Sequence, residues 1–157
     1  MSITTDIVES WRRPRVVVRR HLARGQSEPF AFSLLVAFLL LAFVAQWPRA
    51  SRTAFETDTP VSPHMLGIGL ALLATIPLWY GLAALSRLVS RAFGGNGTWY
   101  GARIALFWSL VAVTPAMLLQ GLVAGMIGPG PGLTAVGAFA GGAFVVFWIN
   151  ALIEVER

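Results

Sequence analysis

Residues 30–47, FAFSLLVAFLLLAFVAQW, decide the fold class of this 157-residue chain. The stretch contains no ionisable group, and a helix needs about 17–25 predominantly apolar residues to cross the hydrocarbon core of a bilayer. Pro48 and Arg49 follow it and are expected to close the span. Hydrophobic residues make up 56% of the chain and charged residues 12%. Soluble domains carry about 25% charged residues. The sequence therefore predicts a membrane protein.

Three further apolar runs have the length and polarity of spanning helices. They cover about residues 65–86, 104–127 and 133–153. The connection 48–63 is polar and bracketed by prolines, whereas residues 128–132, GPGPG, form a short breaker loop. Five residues cannot cross back over a bilayer, so the last two spans form an antiparallel hairpin. We expect an all-α, polytopic membrane helical bundle with four transmembrane helices over residues 30–157.

The basic residues predict the orientation of the bundle. All 12 are arginine and none is lysine, and short loops rich in these residues stay on the cytoplasmic side. With the N-terminus inside, only Arg49 and Arg52 lie outside the membrane. The cytoplasmic set is then Arg12, Arg13, Arg15, Arg19, Arg20, Arg24, Arg87, Arg91, Arg103 and Arg157. Both termini are predicted to be cytoplasmic.

Residues 1–29 form an Arg-rich segment that is too polar to span the membrane. Ile3, Ile7, Val8 and Trp11 recur at helical spacing, and Pro14 starts a second helical pattern. Such a segment is typical of amphipathic helices at the bilayer surface. The predicted ligands of anionic lipid headgroups are Arg12, Arg13, Arg15, Arg19, Arg20 and Arg24. Alternatively, these arginines only fix the topology. A nucleic-acid role is disfavoured, because the adjacent span already explains a basic stretch.

Small and amide residues inside the spans predict helix packing. Two G-x-x-x-G pairs, Gly121 with Gly125 and Gly137 with Gly141, allow close approach of helices. We expect them to pack the third span against the fourth. Gln120 and Asn150 are interpreted as interhelical hydrogen-bonding groups, although they could also line a substrate path.

Two prolines fall near the middle of spans. Pro77 lies in the second span and Pro115 in the third. Each removes a backbone hydrogen bond and is expected to kink its helix.

The residue inventory excludes several classes of chemistry. Without cysteine there is no disulfide, thiolate zinc site or cysteine nucleophile. His64 near Glu56 and Asp58 is a weak metal-site signal and is interpreted as part of a solvated loop. The spans hold no Asp, Glu, Lys or His at depth, which argues against an ion-coupled transporter. No catalytic, cofactor or metal site is predicted.

Several motifs together resemble the Yip family of Ypt-interacting membrane proteins and their bacterial relatives. They are the Arg-rich leader with Pro14-Arg15, the stretch FGGNGTW at 93–99, the mid-span Pro115 and the ending WINALIE at 148–154. The resemblance implies a helical bundle without known catalytic residues that acts in membrane organisation. Family members commonly have five spans, so the resemblance implies a shortened relative whose uncovered helix face is available to a partner.

These observations predict a non-enzymatic, multi-pass protein of the bacterial inner membrane. It would act through helix and lipid contacts, as a membrane organiser or an accessory subunit of a larger complex. The predicted partners are anionic membrane lipids and other integral membrane proteins. The alternative is a small-solute transporter or channel.

Overall fold

A computed structural model describes residues 2–157, and its regular structure is helical. The helices are α1 (Ile3–Ser10), α2 (Pro14–Leu22), α3 (Glu28–Glu56), α4 (Val61–Ala74), α5 (Ile76–Ala92), α6 (Trp99–Ala112), α7 (Thr114–Met126) and α8 (Pro131–Val155). Three stretches are long and apolar enough to cross a membrane: α3, the joined α4–α5, and α8. The pair α6–α7, bent by 42°, makes a fourth span if it is counted as one. The all-helical fold predicted from the sequence is confirmed.

The helix α6 lies at the centre of the bundle. It packs against α1, α2, α3, α5 and α8, and it buries nearly every residue from Tyr100 to Ala112. Trp108, Phe107 and Ile104 are among its fully buried side chains. By contrast, α4 buries little besides Met65, so the α4–α5 span lies at the periphery. The arrangement places one apolar helix inside a ring of amphipathic and lipid-facing ones.

The first span is longer than the sequence predicts. Pro48 was expected to close it, but α3 continues to Glu56. A proline inside a helix loses one backbone hydrogen bond. Here its ring packs closely on α7 at Gly125, and Arg52 and Glu56 form an ion pair of 2.7 Å on the following turns. The packing compensates for the proline, so the predicted polar loop over 48–63 is largely helical.

Both mid-span prolines follow a break in the helix. One break lies at Thr75, two residues before Pro77, and the other at Val113, two residues before Pro115. A threonine at or next to each break donates its hydroxyl to a carbonyl of the preceding turn: Thr75 Oγ1 donates to Leu72, and Thr114 Oγ1 donates to Val111. The α6–α7 span bends by 42° at its break, whereas α4 and α5 are interrupted at Thr75 but together count as one span, so the kink at Pro77 stays a prediction.

Gly121 and Gly125 pack against the first span and not, as expected, against the fourth. A Cβ atom at Gly121 would overlap the carbonyl of Ala45, and one at Gly125 would overlap Pro48. The backbones of α3 and α7 therefore meet along this face. A G-x-x-x-G pair makes a helix face flat, but it does not specify which neighbour uses that face.

Candidate functional site

The helices α1 and α2 form a hairpin, called here the N-terminal hairpin, that packs on α6 and α8. In α1 the polar side of the helix faces the protein. Asp6 and Ser10 of α1 are each 1% exposed, whereas Ile3 is 50% and Val8 64% exposed. In a membrane protein the exposed apolar side is the one that meets lipid. The helix α1 thus presents apolar residues outward and holds its polar groups against the bundle, whereas α2 buries Val17.

A buried polar cluster joins the hairpin to α6. Arg20 donates to Asp6 at 2.6 Å and to Glu9 at 3.0 Å, so one guanidinium serves two carboxylates of α1. The indole nitrogen of Trp108 donates to Ser10 Oγ at 3.0 Å. Burial of charged and polar groups is tolerated when they are paired in this way.

The hairpin is also attached to the break in the α6–α7 span. Since Ala116 donates its backbone N–H to Val113, the carbonyl of Ala112 lacks its usual helical partner. The indole nitrogen of Trp11 donates to that carbonyl at 3.1 Å, and the Trp11 ring packs against Phe139 and Phe147 of α8. The kink ahead of Pro115 therefore creates the acceptor that holds the end of α1.

Replacing Trp11 by phenylalanine should weaken this attachment. The variant keeps an aromatic ring between Phe139 and Phe147 but removes the donor to Ala112. Leaving a buried carbonyl such as that of Ala112 without its hydrogen-bond donor costs about 1–3 kcal/mol. Hydrogen–deuterium exchange of residues 3–10 should therefore accelerate roughly tenfold or more, and unchanged exchange would contradict the assigned role of the indole N–H. The variant Trp47→Phe, on the exposed surface of α3, is the matched control.

His21 lies inside the hairpin interface with its ring 4.3 Å from that of Trp108, measured between centroids. Its Nε2 is 3.9 Å from Asp6 Oδ2, and neither ring nitrogen has a hydrogen-bond partner within residues 2–157. Burial, together with the positive charges of Arg24 and Arg20 and against the opposing effect of Asp6, lowers the pKa of His21 from 6.5 to about 4. His21 is neutral at pH 7.

This lowered pKa predicts a hairpin that loosens in acid. A folded-state pKa below the unfolded value means that the detached hairpin binds the proton more readily. The free energy that holds the hairpin on the bundle is therefore fully present above pH 6.5. It decreases as the pH falls towards 4, by up to about 1.4 kcal/mol per pH unit. Exchange of residues 14–22, corrected for intrinsic rates, should rise between pH 7.5 and 5. His21→Phe should abolish that rise; a rise that persists would assign it to other groups.

The structure separates the six arginines of the predicted lipid site into two groups. Three have partners in the protein: Arg15 donates to Asn150 at 2.9 Å, Arg19 to Glu154 at 2.7 Å, and Arg20 to Asp6 and Glu9. Arg12, Arg13 and Arg24 form no ion pair within residues 2–157, and Arg24 lies over the Phe30 ring. Their binding to lipid headgroups stays a prediction.

A second polar site lies at the same end of the bundle, between the 93–98 loop and the end of α8. The Glu156 carboxylate accepts from the backbone N–H of Gly97 at 2.8 Å and from Arg87 at 3.2 Å. A Cβ at Gly97 would lie 2.8 Å from that carboxylate. The glycines of this loop thus leave room for the acidic end of the chain. Together with the ion pair between Arg19 and Glu154, these contacts place the N-terminal hairpin and the end of α8 at the same end of the bundle.

Three of the other predicted site residues, Gln120, Gly137 and Gly141, line a groove in the middle of the bundle, called here the central groove. It has a volume of about 410 Å³ and is bounded by α3, α4–α5, α6–α7 and α8. Gln120 and Gln46 provide amides to its lining, and Gly137 and Gly141 form its α8 side. The Gln120 amide nitrogen lies 3.0 Å from the position of a Cβ on Gly137, whereas Gly141 faces open space. Asn150 is remote from this groove and binds Arg15 at the hairpin end of the bundle.

One comparison with known proteins gives a match. The Yip1 domain family model matches residues 8–156, which is nearly the whole chain. Neither the curated proteins nor the solved structures give a significant match. The match includes most of the N-terminal hairpin, all four candidate spans and the Glu156 site. This multi-pass membrane protein belongs to the Yip1 domain family.

Proposed function

We propose that this protein acts without catalysis, through helix and lipid contacts, as an organiser or accessory subunit of a larger membrane complex. The observation that carries the proposal is the open side of the central groove at Gly141. Small residues let a second helix approach closely, and here the neighbouring space is unoccupied by the chain itself. Val145, four residues further along the same face of α8, continues an exposed apolar surface.

We further propose that the membrane is a bacterial inner membrane and that the hairpin end faces the cytoplasm. Ten of the 12 arginines lie on that side if the N-terminus is inside. Arginine-rich short segments are retained there. A C-terminal reporter that is active only outside would contradict this orientation.

Extraction in mild detergent tests the association. A second protein should accompany the wild-type chain at a fixed stoichiometry, and Gly141→Leu should remove it because the new side chain fills the approach path. Gly81→Leu is the control, since Gly81 also faces open space but lies on α5. A wild-type chain that migrates alone, or a partner retained by all three proteins, would contradict the proposal.

Transport of a small solute is the second candidate function. The amides of Gln46 and Gln120 in the central groove favour it, and Gln46 also lines two smaller cavities that include Arg49. Liposomes containing the protein test it directly. Solute flux that is equal in wild type, Gln46→Ala and Gln120→Ala would remove these residues as a transport path.

A further inference from the structure

A second groove lies where the N-terminal hairpin meets the bend of the α6–α7 span. This hairpin groove has a volume of about 430 Å³, within the range of about 300–1,000 Å³ that is typical of small-molecule sites. Val8 and Trp11 form one wall, and Pro115, Leu119 and Phe139 form the other. The groove exists because the chain bends ahead of Pro115 while α1 is held at the bend by Trp11.

The hairpin groove is apolar except at one point of its rim. Arg12 lines it there, and Arg13 follows in the turn between α1 and α2. Both side chains are exposed, and neither has a carboxylate partner among residues 2–157. The paired arginines of the same segment, Arg19 and Arg20, lie further along α2. An apolar groove with two uncompensated positive charges at its rim complements an amphiphile with an anionic head.

We propose that the hairpin groove binds one anionic phospholipid, with an acyl chain along Trp11, Leu119 and Phe139 and its phosphate on Arg12 and Arg13. The inference rests on the lipid contacts of the proposed function and names their ligand. The two arginines lie where α1 ends and its apolar, outward side meets the bilayer. The lipid is therefore drawn from the leaflet on the hairpin side. Glu9, the nearest acid in sequence to the turn, is already bound to Arg20 and does not compete.

Native mass spectrometry tests whether Arg12 and Arg13 select an anionic headgroup. The full chain is released from nanodiscs that contain equal amounts of phosphatidylglycerol and phosphatidylcholine, and the bound lipids are counted. Wild type should retain phosphatidylglycerol in clear excess. The double variant Arg12→Ala/Arg13→Ala should lower the ratio of the two bound lipids roughly thirtyfold, which corresponds to about 1 kcal/mol per arginine. Arg91→Ala/Arg157→Ala removes the same charge from exposed positions outside the groove and should change the ratio less than about twofold.

A matched pair of variants tests the groove itself. Leu119→Trp fills the groove and should lower retention of both lipids, while Leu122→Trp, on the same helix but outside the groove, should not. The two leucines are 48% and 49% exposed, so neither change disturbs buried packing.

Three results would overturn the proposal. The first is an equal ratio of bound phosphatidylglycerol to phosphatidylcholine in wild type and Arg12→Ala/Arg13→Ala. The second is an equal fall of that ratio in both double variants. The third is a second copy of the chain that is bound to wild type and is displaced in Leu119→Trp. Apart from their scaffold protein, the nanodiscs contain only this chain and lipid. Failure here is therefore distinguishable from failure of the proposed association, which is read from partner loss at Gly141.

Discussion

The variant Gly121→Leu is expected to lose much of the stability of the bundle. The α carbon of Gly121 lies against the backbone of Ala45, and any side chain there would overlap the Ala45 carbonyl. The obstacle is backbone within a helix, so no rotamer change can relieve it, and α3 and α7 must separate. Overpacking of this kind costs about 1–3 kcal/mol and occasionally more. Tryptophan fluorescence during heating in detergent should show a midpoint lower by roughly 10 °C.

The control for this prediction is Gly141→Leu. Gly141 has the same residue type on a spanning helix, but a Cβ there meets no atom within 4 Å. Its unfolding midpoint should stay within about 2 °C of wild type, since surface substitutions usually change stability by less than about 0.5 kcal/mol. Equal midpoints for the two variants would contradict the assignment of Gly121 to a backbone contact between α3 and α7.

The spans were predictable because the bilayer imposes a length of apolar sequence that few other structures need. The bounds were less predictable, as α3 shows. Beyond Trp47 the sequence turns polar, and Pro48 normally ends a helix. The helix continues to Glu56 because Pro48 packs on Gly125 of a segment more than 70 residues later. No local pattern contains that information.

The buried polar cluster was missed for a related reason. Asp6 and Ser10 are four residues apart, so helical spacing alone places them on one face of α1. Ile3, Val8 and Trp11 define the apolar side of α1, and the polar side of an amphipathic helix normally faces water. Its partners, Arg20 and Trp108, come from a second helix and a distant span. Hydropathy treats Asp6 as a surface residue, whereas the folded chain buries it with its counterion.

Replacing Arg20 by alanine is expected to release α1 from the bundle. The change removes the cation that contacts both Asp6 and Glu9, and it leaves the carboxylate of Asp6 at 1% exposure without a charged partner. Leaving a buried acceptor unsatisfied costs about 1–3 kcal/mol. Since local opening controls amide exchange, residues 3–10 should exchange roughly tenfold to a hundredfold faster, while the core of α6 stays protected.

The double variant Asp6→Asn/Arg20→Gln should recover part of this protection, because an amide pair needs no counterion and can hydrogen-bond directly. Arg19→Ala provides the surface control. Arg19 pairs with Glu154 at 2.7 Å, but its side chain is 68% exposed, and solvent-exposed ion pairs contribute little to stability. If Arg19→Ala accelerated exchange in α1 as much as Arg20→Ala, net charge and not the Asp6 contact would hold the hairpin. In that case the attachment of the hairpin, which forms one wall of the hairpin groove, would weaken at high salt concentration, because screening weakens exposed charge interactions first.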